Sequence, residues 1–575
     1  MTAESSVFDY IIVGGGTAGV VIASRLSTYL PTSRVLLLEA GPDATSHPSV
    51  TNPIAFPGLS SAEFQGNSWT VDHSTVPQEH CNNRRIFNPA GRLLSGSSAI
   101  NVGIWMRASR TDYSLIAEKA GHERFTFEKL LPYFKRLETH WDKDAELRYH
   151  GFEGPIHTLG GRKYPLRETI QRSAEVLGHH YNPDAMKGDP TGLADMTQCF
   201  RAASESSSER QHSSRVYELS GVHVMCDTPV ARILVDTSKR TTGVELVDGR
   251  KLYASREVVL SCGTQKTPQI LMLSGIGPKD ELSKHNIPII IDSPAVGQNL
   301  FDHSALTLYF ALKNPKQGLG LPFEGTMKPE YGQGMPWEFN IFANIPASTL
   351  EPKLAHDGLI SASRDKEELH PHLRPQRCHF LNFPFYFPIL ATPSYNPSIN
   401  PLTGTHIAIT SLHLLPLSRG GISLHSASAD DAPIIDPRYL STTTDRYIMR
   451  TAVQEALALI STPPLSNHIL CETPPIPSPL NNNTIFPALT ATSSDDEVDA
   501  RIRAYVQTIA HPMGTCALGT VLDAEFRVKG VDGLRVCDAS VFPEPLGAMP
   551  SLTIFALGEV VADLIAGREG RESKL

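Results

Sequence analysis

Apolar positions first bunch at Phe8–Val13 (FDYIIV), a short β-branched run of the kind buried on both faces of a parallel sheet. Three glycines follow. Apolar residues then recur at helical spacing from Ala18 to about Tyr29, and Arg34–Leu38 (RVLLL) predicts a second strand. Strand, helix and strand within about thirty residues make a βαβ unit, whose right-handed crossover is nearly fixed. Four more apolar runs near 222–262 (VHVMC, ARILVD, TTGVELV and REVVLSC) predict successive strands, and a last apolar helix is expected from about Ser551 to Ala566.

The recurrence of such segments in three separated blocks predicts one discontinuous α/β domain of Rossmann-like type, residues 1–154, 206–305 and 505–575. The intervening stretches, 155–205 and 306–504, carry proline, aromatics and alternating patterns such as HIAITSLHLLPL. They predict an inserted α+β domain built on an antiparallel sheet, which would bind the substrate. Two stretches, 313–336 and 462–496, are so rich in Pro, Gly, Asn and Thr that long loops are expected there.

Composition narrows the function classes. The chain has 575 residues, 41% hydrophobic and 19% charged, as in ordinary folded proteins. A formal charge of −9 leaves no basic surplus for nucleic acid. No apolar run is long enough to span a bilayer, and the start MTAESSVFDYIIVGGG lacks the pattern of a secretory signal. Eight scattered cysteines show no zinc spacing, so no metal is expected, and buried thiols are expected rather than disulfides. The tripeptide Ser573-Lys574-Leu575 has the form of a peroxisomal address, which predicts an import receptor as partner and the peroxisome as location.

Chemistry enters at Gly14-Gly15-Gly16-Thr17-Ala18-Gly19, a G-x-G-x-x-G loop directly after the first strand. Gly14 permits the tight turn, Gly16 lets the backbone approach a pyrophosphate, and Gly19 lets the helix pack closely. The helix N-terminus attracts phosphate. Glu39, 25 residues after Gly14 at the end of the second strand, suits ribose hydroxyls. These features predict a dinucleotide without separating FAD from NAD.

Further segments make that separation. Gly91–Asn101 (GRLLSGSSAIN), Gly263–Pro278 (GTQKTPQILMLSGIGP), Val296–His303 (VGQNLFDH), His511–Cys516 (HPMGTC) and Leu534–Ser540 (LRVCDAS) resemble, in order, the signatures of the glucose-methanol-choline oxidoreductases. The resemblance spans almost the whole chain and implies FAD. It implies cofactor contacts at Gly14, Gly16, Thr17, Ala18, Gly19, Glu39 and Ala40, then at Arg92, Ser97, Asn101, Val102 and Gly103. Val230 corresponds to the adenine contact, and Asp538 and Ala539 to an acid segment near the ribityl–phosphate chain; a helix or turn cap is the plainer role for Asp538. Pro550 and Ser551 open the final helix, whose positive end would face the flavin N1–O2 locus. Relatives that attach FAD covalently use a histidine at the position of Ile100, so non-covalent FAD is expected here.

The resemblance also assigns catalysis. Alcohol oxidation removes a hydroxyl proton as hydride leaves carbon for flavin N5, and His511 matches the family's histidine base. The second catalytic position, histidine or asparagine in the family, falls on Met549, which cannot donate a hydrogen bond. His511 then acts alone, or another polar residue of the inserted domain replaces the partner, or the flavin serves a lyase or cyclase without net redox chemistry. An inactive flavoprotein that binds a small molecule is a further reading. Two smaller departures are Ser95 at a usual glycine and Trp105 within VGIW; Trp105 and Met549 would make the cavity apolar. That predicts a hydrophobic or aromatic alcohol as the small-molecule substrate, of the kind met in fungal specialised metabolism.

Overall fold

The computed structural model describes residues 7–52, 69–71, 73–360, 369–388, 396, 398–478 and 483–569. The tripeptide Ser573-Lys574-Leu575 lies outside the described residues. The first sheet is built from a parallel block. Strands His223–Met225, Val35–Leu38, Val7–Val13 and Lys251–Leu260 lie side by side in that order. Register places Tyr10 opposite Val35 and Val13 opposite Leu260. The ten-residue strand Lys251–Leu260 serves two neighbours: its second half pairs in parallel with Leu534–Val536, while its first half carries an antiparallel meander through Thr241–Leu246 and Val230–Val235. All four residues of Val35–Leu38 and the last four of Val7–Val13 are buried, as strands covered on both faces require.

The parallel strands end together. Gly14, Glu39, Ser261 and Cys537 therefore line one edge of the sheet, where ligands sit in folds of this kind. Glu39 lies one residue beyond the second strand rather than within it. The first helix, Thr17–Tyr29, and the last, Ser551–Ile565, pack together over this sheet; a Cβ on Gly558 would stand 3.0 Å from the Val21 side chain.

The second sheet runs Ile469–Glu472, Ser304–Leu312, His406–His413, Phe380–Phe385, Phe339–Ala343, Gly192–Asp195, Tyr181–Asn182. Its pairs are antiparallel except the last. Period-two alternation sorts its residues. Asn382 and Ser411 face the helix Thr443–Ser461, both donating to the Ala452 carbonyl, while Phe383, Phe385, Thr410 and Leu412 face the opposite way. The expected loop at 462–496 is broken by the strand Ile469–Glu472 and, at its end, by the helix Asp495–Tyr505. Four residues flanked by prolines carry too little pattern to announce an edge strand. None of the eight cysteines is bridged; Cys471 is exposed and the others are buried or half-buried. Among the described residues no helix is long and apolar enough to cross a membrane, and no cluster of ligating side chains suits a metal.

Candidate active site

One cavity of about 1530 Å³ runs from the strand ends of the first sheet to the aromatic face of the second. That exceeds an ordinary ligand pocket and leaves room for a dinucleotide and a second molecule. Gly14, Gly16, Thr17, Ala18, Glu39 and Ala40 line it, as do Arg92, Ser97, Asn101, Val102, Gly103, Val230, Asp538, Ala539, Met549, Pro550, Ser551 and His511. Gly19 does not.

The glycines of the two loops are explained by close approach. Gly14 adopts φ +97°, and a Cβ there would meet the Ser261 carbonyl at 2.4 Å; a Cβ on Gly19 would stand 2.0 Å from the Gly14 carbonyl. Gly16 instead borders open cavity, with nothing nearer than 3.8 Å. The second loop packs on the first: Ser95 N donates to the Gly15 carbonyl, and a Cβ on Gly96 would meet Gly16 Cα at 2.8 Å. These bare backbone loops form a cradle into which a diphosphate fits without side-chain interference. At one end Glu39 accepts from Gly15 N (2.9 Å) and Gly41 N (2.8 Å), which orients its carboxyl group. Burial pushes that carboxyl up to about 7 against the lowering effect of both amides. Pro550 caps the last helix without a side-chain cap bond, so its first N–H groups remain available at the cavity wall.

Ser95 sits at φ +81°, a region that favours glycine, and is fully buried. Its hydroxyl contacts His212 Nδ1 (2.9 Å) and donates to Ser214 Oγ (2.7 Å), offsetting the strain that its Cβ introduces. Asp538 does serve as a turn cap: it accepts from Ser540 N, Gly263 N and Thr267 Oγ1 (2.8, 2.9 and 2.6 Å). It thereby ties the last signature to the helix Gly263–Leu273 while still bordering the cavity. Trp105 corrects the sequence expectation. Its ring is absent from the cavity wall, donating to Glu138 at 3.2 Å and packing edge-on against Phe555. Gly103 adopts φ +71°, and a Cβ there would meet the Phe200 ring at 2.3 Å; two residues on, Trp105 N donates to the Thr197 carbonyl.

The apolar wall comes instead from residues the sequence did not single out: Met335, Trp337, Phe383, Phe385, Phe387 and Leu412, joined by Met549. Thr307 and Thr410 add a hydroxyl pair 2.8 Å apart. The alternation in the second sheet was the available signal, but which face met the cofactor was not legible.

His511 is held from its backbone. Its N–H donates to Asp302 Oδ1 (3.1 Å), and Asp302 Oδ2 accepts from Thr508 Oγ1 (2.6 Å), Asn88 Nδ2 (3.0 Å) and the Tyr439 hydroxyl. Ala510, at φ +60°, donates to Thr508 Oγ1, so this network secures a left-handed residue beside the imidazole. Burial raises the Asp302 carboxyl to about 6 and depresses His511 to about 3. The ring is therefore neutral at physiological pH, the form a base requires. His511 Nδ1 lies 3.2 Å from His303 Nδ1.

Burial of neutral histidines makes stability pH-dependent. His73, His379 and His511 are depressed to about 3 and His212 to about 4, with His303 and His372 well below 6.5. The unfolded chain binds the extra protons below 6.5, so this contribution shrinks as pH falls through that value. Glu39, Glu338 and Asp302, raised to about 7, 7 and 6, work in the opposite sense but are fewer and less displaced. Thermal melts should therefore give a lower Tm at pH 5 than at pH 7; a higher one contradicts the neutral histidine assignments.

A glycine cradle, a buried acid at its end and a neutral imidazole share one cavity, an arrangement that suits a dinucleotide-dependent oxidoreductase. Comparison with known proteins gives the family. Residues 8–305 and 416–558 match the two family models described as GMC oxidoreductase. The chain is 39% identical to the GMC-type oxidoreductase acuG of Aspergillus aculeatus, over 98% of this chain and 99% of that one. It is 31% identical to the alcohol dehydrogenase [acceptor] of Pseudomonas putida, covering 97% and 96%. A formate oxidase structure superposes with TM-score 0.83 at 26% identity, covering 98% of each chain. The protein belongs to the GMC oxidoreductase family and is an FAD-dependent oxidoreductase.

Proposed function

We propose that the protein oxidises an apolar or aromatic alcohol at a non-covalently held FAD, with His511 as the base. The observation that carries this reading is the placement of His511 in the same cavity as the glycine cradle, against a wall of Trp337, Phe383, Phe385 and Phe387. FAD, when bound, supplies the hydride acceptor. Gly14–Thr17 and the loop through Ser97 would hold its diphosphate, Glu39 and Val230 would meet its adenosine end, and Ile100 offers no atom for a covalent link. The aromatic wall orients an apolar substrate and excludes water from its reacting end. His511 takes the hydroxyl proton on the nitrogen that faces the cavity, so the proton leaves oxygen as the electron pair leaves carbon.

The test is a panel of aromatic and aliphatic alcohols added anaerobically to the purified protein. Aromatic members should bleach the visible flavin absorbance faster than short aliphatic ones, and peroxide release in air then separates an oxidase from a dehydrogenase. If no alcohol bleaches the flavin, this reading fails. Met549 favours the alternative, a flavin-containing lyase or cyclase, which forms product with no bleaching.

Met549 supplies a further prediction. It borders the cavity and is nearly fully buried, at 4% exposure. Met549→Asn adds a donor and an acceptor where the thioether has neither in strength. FAD content should be unchanged while the rate of flavin reduction shifts several-fold; loss of flavin overturns the placement of Met549 at the reacting end.

A further inference from the structure

The aromatic wall of the cavity carries a polar patch. In the antiparallel pair of Ser304–Leu312 and His406–His413, Thr307 stands opposite Thr410, and Ala305 opposite Leu412. Phe383 continues the first of these rows and Leu381 the second. Directly paired residues share one face of a sheet, so Thr307 and Thr410 project into the cavity beside Phe383 and Leu412. Their hydroxyls lie 2.8 Å apart, and either can be the donor.

A third polar group joins them from the sheet edge. The short strand Gln507–Thr508 pairs with Ser304–Leu312, setting Gln507 opposite Ala305 and Thr508 opposite Ser304. Alternation then sends the two side chains to opposite faces. Thr508 turns to Asp302 and supports the backbone beside His511, whereas Gln507 borders the cavity. Gln507 is half-buried, and among the described residues its amide has no hydrogen-bond partner. Thr307 is its diagonal neighbour, within reach of a long side chain across the single methyl of Ala305.

A hydroxyl pair and an unpaired amide offer both donors and acceptors in a wall otherwise formed by Phe383, Phe385 and Leu412. Covering such groups with a purely apolar ligand leaves them unsatisfied, which costs free energy. The patch therefore suits a ring that carries a hydroxyl. Distance decides where on the ring. Thr307 follows His303, whose ring contacts His511, by four residues, about 13 Å at the rise of a strand. One benzene ring with a carbinol at one end and a hydroxyl at the other covers that length, given a hydrogen bond at each end.

We propose that Gln507, Thr307 and Thr410 form a subsite for a phenolic hydroxyl opposite the carbinol, so that the substrate is a hydroxybenzyl-type alcohol. These residues bind the far end of the substrate and take no part in the proton transfer at His511. The proposal rests on the reading of the protein as an oxidoreductase of aromatic alcohols.

The test compares 4-hydroxybenzyl alcohol with 4-methylbenzyl alcohol, whose methyl fills the same space without a hydrogen bond. The readout is anaerobic flavin reduction at low substrate in wild type, Thr307→Val/Thr410→Val and Gln507→Leu. The double variant removes both partners of one hydrogen bond at nearly constant volume, and flavin content with thermal melts reports its folding. Wild type should favour the hydroxyl compound about tenfold. The double variant should lose most of that preference and Gln507→Leu part of it, because the hydroxyl compound slows relative to the methyl compound. Equal rates for the two alcohols in wild type overturn the proposal. So do variants that slow both alcohols equally, which would place the residues at the reacting end. A second arm needs no oxidation: p-cresol has the ring and the phenol but no carbinol. Calorimetric titration of the oxidised holoenzyme should show about tenfold weaker p-cresol binding in the double variant, with no such loss for toluene. Equal p-cresol binding by wild type and double variant overturns the subsite. If no alcohol reduces the wild-type flavin, the proposed activity fails instead, and the p-cresol comparison still decides the subsite.

Discussion

His511→Ala is expected to lower the rate of flavin reduction by an alcohol about 10³-fold, near 4 kcal/mol of transition-state stabilisation, with FAD still bound. The prediction follows from where the ring sits. His511 is anchored through its backbone N–H to Asp302, so removing the imidazole leaves the Asp302–Thr508–Asn88–Tyr439 network intact. The contacts of the cradle, from Gly14 to Ser97, involve no atom of the ring. Activity and cofactor affinity should thus separate cleanly. Stopped-flow absorbance under anaerobic conditions measures the first, and flavin content of the purified variant the second. A variant that reduces as fast as wild type shows that His511 is not the base. Loss of FAD together with activity shows that the imidazole holds the cofactor instead.

Gly19→Ala is expected to abolish FAD binding. The new methyl would stand 2.0 Å from the Gly14 carbonyl, and backbone cannot move aside as a flexible side chain can. Either the first helix shifts away or the Gly14 turn opens, and both break the alignment of the helix N-terminus with the diphosphate. Gly16→Ala is the useful contrast. Its Cβ meets no protein atom within 3.8 Å, so the fold should survive while the methyl intrudes on the ligand space. The expected pattern is a colourless, less stable Gly19→Ala protein and a stable Gly16→Ala protein with weakened FAD uptake. Fluorescence titration with FAD and thermal melts distinguish the two. Full flavin occupancy in Gly19→Ala contradicts the packing described.

Local rules made much of this readable in the sequence. The first strand, the glycine turn and the helix after it are patterned within thirty positions of one another, and Gly14 and Gly19 have steric reasons while Gly16 borders open cavity. Glu39 and the final helix follow from the same short-range logic. What the sequence concealed was contact between distant segments. His303 belonged to a recognised segment, but nothing in its neighbourhood shows that it meets a residue 208 positions away. Asp302 likewise shows its purpose only once Thr508, Asn88, Tyr439 and the His511 amide converge on it. Trp105 failed for a similar reason: its place in VGIW suggested the cavity, and its contacts with Glu138 and Phe555 hold it in the core instead. The aromatic wall was visible as alternating residues in Phe380–Phe385 without any mark of which face would meet the flavin.

The central claim is that the FAD cradle and the His511 imidazole belong to one reaction site. A crystal structure of the purified protein with FAD bound tests it most directly. The account predicts the diphosphate over Gly14–Gly16 and Ser97, the isoalloxazine between Met549 and the aromatic wall, and its reactive edge facing His511. An isoalloxazine turned away from that ring, with another side chain at its reactive edge, would contradict it.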